Sequence, residues 1–223
     1  MKKIFSLLQV SIVCLLSLAL VACTTMSPSV SFYTVTPLEE GDSGRFFAEG
    51  VYPLAIRVMP VEIPDHLDRP EIMTKKGRNT VELAEFDRWA GSFRDSITAV
   101  LAENLGLLLG SDLVYVQPPL DIREVDYRVA MTIIRLDSRL GDQVLLKAKW
   151  TVSPVRDKST AETQLSTFIV RLADEDYETL AAGISQALGQ VSRQIAEKII
   201  TLSDGPSGTP DLRPDKMPRK RPE

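Results

Sequence analysis

The chain has 223 residues, 25% of them charged, and a formal net charge of −4 at pH 7. That acidic balance excludes a general nucleic-acid surface, which is basic, and the length allows one well-cored domain. Both cysteines, Cys14 and Cys23, fall near the N-terminus, which excludes a disulfide-stapled body.

The first element is a leader. Met1-Lys2-Lys3 precedes an apolar run from Ile4 to Leu20 that is interrupted by Ser6, Gln9, Ser11 and Ser17, the pattern of a secretory signal peptide. A membrane span needs about 20 consecutive apolar residues. This run is shorter and no charged stop-transfer cluster follows it, so export with cleavage is favoured over a transmembrane helix. Leu20-Val21-Ala22-Cys23 at its end resembles the lipobox of bacterial lipoproteins. The resemblance implies a signal peptide over residues 1–22, a diacylglyceryl thioether on Cys23, and acylation of the freed amino group by a chain such as palmitate. The other reading of Cys23 is a buried thiol or half a disulfide. Cys14 leaves with the leader, however, and an unmodified lone thiol in an exported chain is exposed to mis-pairing. One acyl chain binds a bilayer only marginally, at about 0.8 kcal/mol per buried CH₂, whereas three hold essentially permanently. Thr24 stands where many such lipoproteins carry an aspartate as the inner-membrane retention signal. The resemblance therefore implies the outer membrane, on its periplasmic face. Residues 23–30 form the anchor and tether, and the stretch Thr24–Val30 spans at most about 25 Å.

The body covers residues 31–202. Ser31–Leu38 reads as a strand, followed by a loop from Glu39 to Glu49. Tyr52–Pro64 has two alternating faces, Leu54, Ile56 and Val58 against Ala55, Arg57, Met59 and Val61. Pro60 places it at a sheet edge or starts a bend. Glu71–Thr74 and Thr80–Leu83 flank the glycine-containing loop Lys75–Asn79, a hairpin pattern. From Asp87 the period changes. Trp89, Phe93, Ile97, Val100, Leu101, Leu105 and Leu108 share one helical face, with Asp87 as N-cap and Gly110 as the stop. Leu113–Gln117 is a short strand broken by Pro118-Pro119.

Val125, Tyr127, Val129, Met131 and Ile133 then share a face, as do Val144, Leu146, Ala148, Trp150 and Val152 after the Gly141-Asp142 turn. Asp157-Lys158-Ser159 turns the chain into Thr160–Leu172, completing an antiparallel meander with one buried face. A second helix carries Leu180, Ile184, Leu188, Val191, Ile195 and Ile199 on one side. The expected class is α+β, an antiparallel sheet with two amphipathic helices packed on one face, in a single domain. Residues 203–223, with prolines at 206, 210, 214, 218 and 222, form a disordered Pro-rich tail. Its basic end, Pro218-Arg219-Lys220-Arg221-Pro222, is either a solvated run or a contact for an anionic surface such as cell wall or lipid head groups.

The sequence holds no catalytic constellation. Gly41-Asp42-Ser43-Gly44 invites a serine-hydrolase reading, but the only histidine is His66 and no Gly-x-Ser-x-Gly elbow appears. Asp65-His66-Leu67-Asp68 lacks the ligands of a zinc site, and Gly106–Gly110 lacks the ending of a phosphate loop. Trp89 and Trp150 sit on apolar faces as core residues. The expectation is a protein that is not an enzyme, with no metal and no cofactor.

Ile56-Arg57-Val58-Met59-Pro60-Val61-Glu62-Ile63-Pro64-Asp65-His66-Leu67-Asp68-Arg69-Pro70 carries the most specific pattern. It resembles the V-x-V-P-x-Y-L-x-R-P-x-I stretch of the paraquat-inducible protein C family, auxiliary lipoproteins of ABC-type transport systems, with His66 where an aromatic is frequent. Tyr33, Trp89, Asn104 within Leu101–Leu105, and a final helix led by Tyr177 follow the family order. The resemblance covers roughly Cys23 to Thr201 and leaves out the tail. It implies a non-enzymatic partner of membrane proteins bearing mammalian-cell-entry (MCE) domains, which form lipid conduits between two membranes. It also leaves open a homo-oligomer and involves no nucleic acid. The alternatives are a lipid-binding carrier and a structural lipoprotein of the cell wall. The expected contact residues are Ile63, Pro64, Asp65, Leu67 and Arg69; a turn is the competing reading of the same segment.

Overall fold

The computed structural model describes residues 29–39, 53–117, 125–155 and 161–203. The described residues from Phe32 to Ser203 belong to one compact unit. Cys23, expected to carry the lipid, the Gly41–Gly44 motif and the Pro-rich tail lie outside the described residues.

The strands are β1 (Ser31–Tyr33), β2 (Ile56–Val58), β3 (Glu71–Lys75), β4 (Val81–Trp89), β5 (Val114–Tyr115), β6 (Tyr127–Arg139), β7 (Gln143–Pro154) and β8 (Glu162–Arg171). The helices are α1 (Phe93–Leu109) and α2 (Tyr177–Ser203). They make two sheets, ordered β1-β4-β3 and β5-β2-β6-β7-β8. The meander β6-β7-β8 is antiparallel, as its alternation requires. Its inward residues are nearly all sealed, from Val129 and Val144 to Trp150 and Val152. The fold is α+β, but the sheet is mixed rather than antiparallel. β2 runs parallel to both β5 and β6, a pairing made possible by the long excursion through β3, β4 and α1.

β2 is therefore an interior strand, which corrects the edge placement offered by Pro60. The ladder skips the proline. Met59 N–H donates to Val129 O at 2.8 Å and Glu62 N–H to Met131 O at 3.0 Å, on either side of it. Val61 N–H, released from the ladder, donates to the Thr98 hydroxyl of α1 at 3.0 Å. Every amide around the bend is thus satisfied.

The first helix starts later than its apolar spacing suggests. Asp87 and Trp89 belong to β4, and Trp89 N–H donates to Pro70 O at 2.8 Å. Gly91 follows with φ 142°, a backbone that stops the strand. Ser92 is the N-cap, its hydroxyl accepting from Asp95 N–H at 3.2 Å. Trp89 and Phe93 still meet, their rings stacked with centroids 4.3 Å apart, so an i,i+4 contact is made without a helix between them. Gly110, at φ 57° and ψ 37°, ends α1 as expected.

Both helices cover one face of the five-stranded sheet, α2 across β7 and β8 and α1 near β2 and β5. Leu180, Ile184, Leu188, Val191, Ile195 and Ile199 are all buried there, each worth about 1.5–3 kcal/mol. A Cβ on Gly183 would meet Leu172 Cδ2 at 2.6 Å, so the absent side chain lets α2 settle onto the sheet. Trp150, 1% exposed, donates its indole N–H to Ser166 Oγ at 3.1 Å, and Ser166 donates onward to Gln194 Oε1 at 2.6 Å.

Candidate functional site

Ile63–Arg69 folds as a tight turn around a short 3-10 helix, Asp65–Leu67. Pro64 enters in an extended conformation, and Leu67 N–H donates back to Pro64 O at 2.9 Å. Two of the expected contact residues are part of the core: Ile63 and Leu67 are 7% and 6% exposed. Leu67 sits among Ile72, Trp89, Phe93 and Leu136 over a void of about 10 Å³, which holds at most one water. Pro64 is half-buried, while Asp65 and Arg69 are exposed together with His66 and Asp68. Asp68 pairs with Arg94 of α1 at 2.9 Å and Arg69 with Glu71 of β3 at 3.5 Å. Such half-exposed pairs hold the turn's orientation more than they stabilise it.

Beside His66 opens a cleft of about 260 Å³ between the β3-β4 hairpin and β6, with Met73, Lys75, Val81, Ile134 and Asp137 among its walls. Lys75 lies 3.8 Å from Asp137. Arg135 also pairs with Asp137, whose hydrogen bond and charge raise the arginine pKa above its ordinary value. Val81, Leu83 and Ile134 are exposed on these strands. The outer side of the turn and this cleft therefore form a mixed apolar and charged patch.

A second constellation joins the N-terminal segment to the helices. Tyr33 donates its hydroxyl to Asp87 Oδ1 at 2.8 Å, and its ring lies 6.1 Å from that of Tyr177. Thr36 N–H donates to Ser185 Oγ at 3.0 Å and Leu38 N–H to Asn104 Oδ1 at 2.7 Å. Asn104, fully buried, also donates through Nδ2 to Ser192 Oγ at 3.1 Å. One amide thus ties the N-terminal segment, α1 and α2 together. Burial, then the charges of Asp87 and Glu82, raise the Tyr177 pKa above its ordinary 10.0. At the start of α2 the Asp174 carboxylate accepts from Asp176 N–H, and the Thr179 hydroxyl adds to the effect, so its pKa falls.

Sequence reasoning carried Asn104 only through the family resemblance. Its own signal was present: an amide inside the apolar stripe of α1, facing a serine in the stripe of α2. Among the described residues, no group of at least three His, Cys, Asp or Glu side chains is placed to hold a metal ion. Among them too, no helix is long and apolar enough to cross a membrane.

The profile of the ABC-type transport auxiliary lipoprotein component family matches residues 40–196. The chain belongs to this family. The match takes in the turn, α1, the whole five-stranded sheet and α2 as far as Ala196, in agreement with the resemblance to paraquat-inducible protein C. The fold is similar to the crystal structure of an uncharacterized protein, with 18% identity and a TM-score of 0.62, covering 77% of this chain and 99% of that one. It is also similar to a Xanthomonas campestris protein of the DUF330 family, with 16% identity and a TM-score of 0.57, covering 78% of this chain and 97% of that one. No curated protein matches the sequence.

Proposed function

We propose that this auxiliary lipoprotein is anchored through Cys23 to the periplasmic face of the outer membrane and docks an MCE-domain conduit of an ABC-type lipid transport system. The family match over residues 40–196 carries the reading. Two features support it. The Leu20–Cys23 lipobox provides the anchor. The residues soon after it are fastened to the helix layer through Thr36, Leu38 and Asn104, so a pull on the tether is taken up by the core. The docking surface is the outer side of the turn, Asp65, His66 and Arg69, with the Val81 and Ile134 rim of the adjoining cleft. Ile63 and Leu67 support that surface from beneath.

The test is photo-crosslinking from His66 and, separately, from Val81 in the full-length protein in its own cells, with mass spectrometry of the captured species. Capture of an MCE-domain protein is expected. Capture of lipid alone would replace docking with a carrier role. Replacing Cys23 with alanine is expected to abolish palmitate labelling and release the protein from the membrane fraction.

A further inference from the structure

The face of the five-stranded sheet opposite the helices is basic, although the chain as a whole is acidic. Arg57 of β2 stands in register with Arg128 of β6, and Arg135 of β6 with Lys147 of β7. Like charges placed directly opposite destabilise a sheet, and this one carries two such pairs. Arg139 and Arg171, at one end of the face, are answered by Asp142 of the turn, and Arg135 by Asp137. The carboxylates Asp126 and Glu62 lie at its other margin, engaged with Ala55 N–H and the Thr132 hydroxyl. Arg57, Arg128, Lys147 and Lys149 have no ion pair among the described residues. Next to Lys149 and Lys147, on the edge strand β8, Leu165 and Ile169 are 54% and 53% exposed, with Thr167 between them.

Unpaired cations and exposed aliphatic side chains together select the occupant. Protein interfaces are depleted in lysine and enriched in aromatic residues at their centres, whereas two of the four unpaired cations here, Lys147 and Lys149 of β7, are lysines that stand beside Leu165 and Ile169 of the edge strand. Self-pairing of the face across a two-fold axis would set its cations against each other. An anionic bilayer surface satisfies both halves of the pattern, with phosphates meeting long flexible ammonium groups and the acyl boundary meeting the aliphatics. We propose that this sheet face lies on an anionic phospholipid surface, with Lys147 and Lys149 at the phosphates and Leu165 and Ile169 at the acyl boundary. It rests on the anchored-lipoprotein reading for its proximity to the membrane. It adds an orientation: the helix layer faces away from the lipid.

The test uses the mature acylated protein, reconstituted into vesicles of phosphatidylcholine alone or mixed with phosphatidylglycerol and carrying a lipid-borne quencher. A polarity-sensitive fluorophore on Thr167→Cys is compared with one on Ala182→Cys, at the exposed side of α2. The Thr167 label is expected to be quenched in anionic vesicles only, and the Ala182 label in neither. Lys147→Gln with Lys149→Gln should lower the ratio of docked to free protein about 30-fold, as two lysines leave the surface, and high salt should do the same. Quenching at Thr167 that is equal in neutral vesicles, or unchanged by the double substitution, overturns the proposal. Energy transfer between Thr167 labels without lipid quenching also overturns it and assigns the face to a second copy. Flotation with the vesicles but no quenching leaves the anchor standing and overturns the face. A chain that does not float even with anionic vesicles overturns both.

Discussion

The two faces of the five-stranded sheet are built from the same strands and differ in everything else. On the helix side, Ile56, Val129, Val144, Trp150 and Val152 are sealed beneath α1 and α2. On the other side, the alternate residues of the same strands include cations and Asp137, several threonines, and the exposed Leu165 and Ile169. A strand turns successive side chains to opposite faces, so stability and surface chemistry can be set independently, residue by residue. The tie between the N-terminal segment and the helices centres on Asn104 and Ser192, which are buried and paired, where losing one partner costs most.

Substitutions on the two faces should therefore separate cleanly. Trp150→Ala removes the largest sealed side chain of the sheet and the donor to Ser166, and should cost about 3–5 kcal/mol in chemical denaturation. Asn104→Ala leaves Leu38 N–H without its acceptor and Ser192 Oγ without the bond it accepts, though Ser192 still donates to Leu188 O, and should cost about 1–3 kcal/mol. Hydrogen exchange at the Leu38 amide should rise with it. If that exchange stayed slow, the tie between the N-terminal segment and the helices would not depend on Asn104.

Smaller effects sharpen the boundary. The Tyr177 pKa is raised in the fold, so its contribution is fully present below the ordinary value of 10.0 and is lost as pH rises through the raised one. Tyr177→Phe should accordingly flatten the alkaline loss of thermal stability, measured above pH 10. On the open face, Lys147→Gln with Lys149→Gln should change stability by no more than about 0.5 kcal/mol. The sign should favour the variant, because the Arg135–Lys147 repulsion is relieved. A loss as large as that of Asn104→Ala would mean that the open face is structural, and the contrast would fail.

The elements easiest to read from the sequence were those with a long, local period. The alternation through Val125–Ile133 and Val144–Val152, the glycine-containing hairpin loop and the apolar stripe of α2 all appear where their periods place them. The start of α1 was misread because Trp89 and Phe93, four apart, satisfy a helical spacing while one ends a strand and the other opens a helix. Ile134 illustrates a related limit. A bulge between Ile133 and Arg135 shifts the alternation of β6 by one, leaving Ile134 exposed and Leu136 buried. At the candidate docking segment, prolines and aspartates marked a turn. They did not reveal that Ile63 and Leu67 point into the core while Asp65, His66 and Arg69 face outward.

By itself the sequence determined the apolar faces, the turns and the motif order of an auxiliary transport lipoprotein. All of these are carried by neighbouring residues and their local periodicity. Only the tertiary structure decided that β2 lies inside a mixed sheet, that β1, β4 and β3 form a small second sheet packed beside β6, and that Asn104 joins three segments. It also brought Arg57 beside Arg128, and Arg135 beside Lys147, on one open face. Those are pairings between residues far apart along the chain. Their partners are selected by which surfaces the whole body can bury together, and no local period encodes that choice.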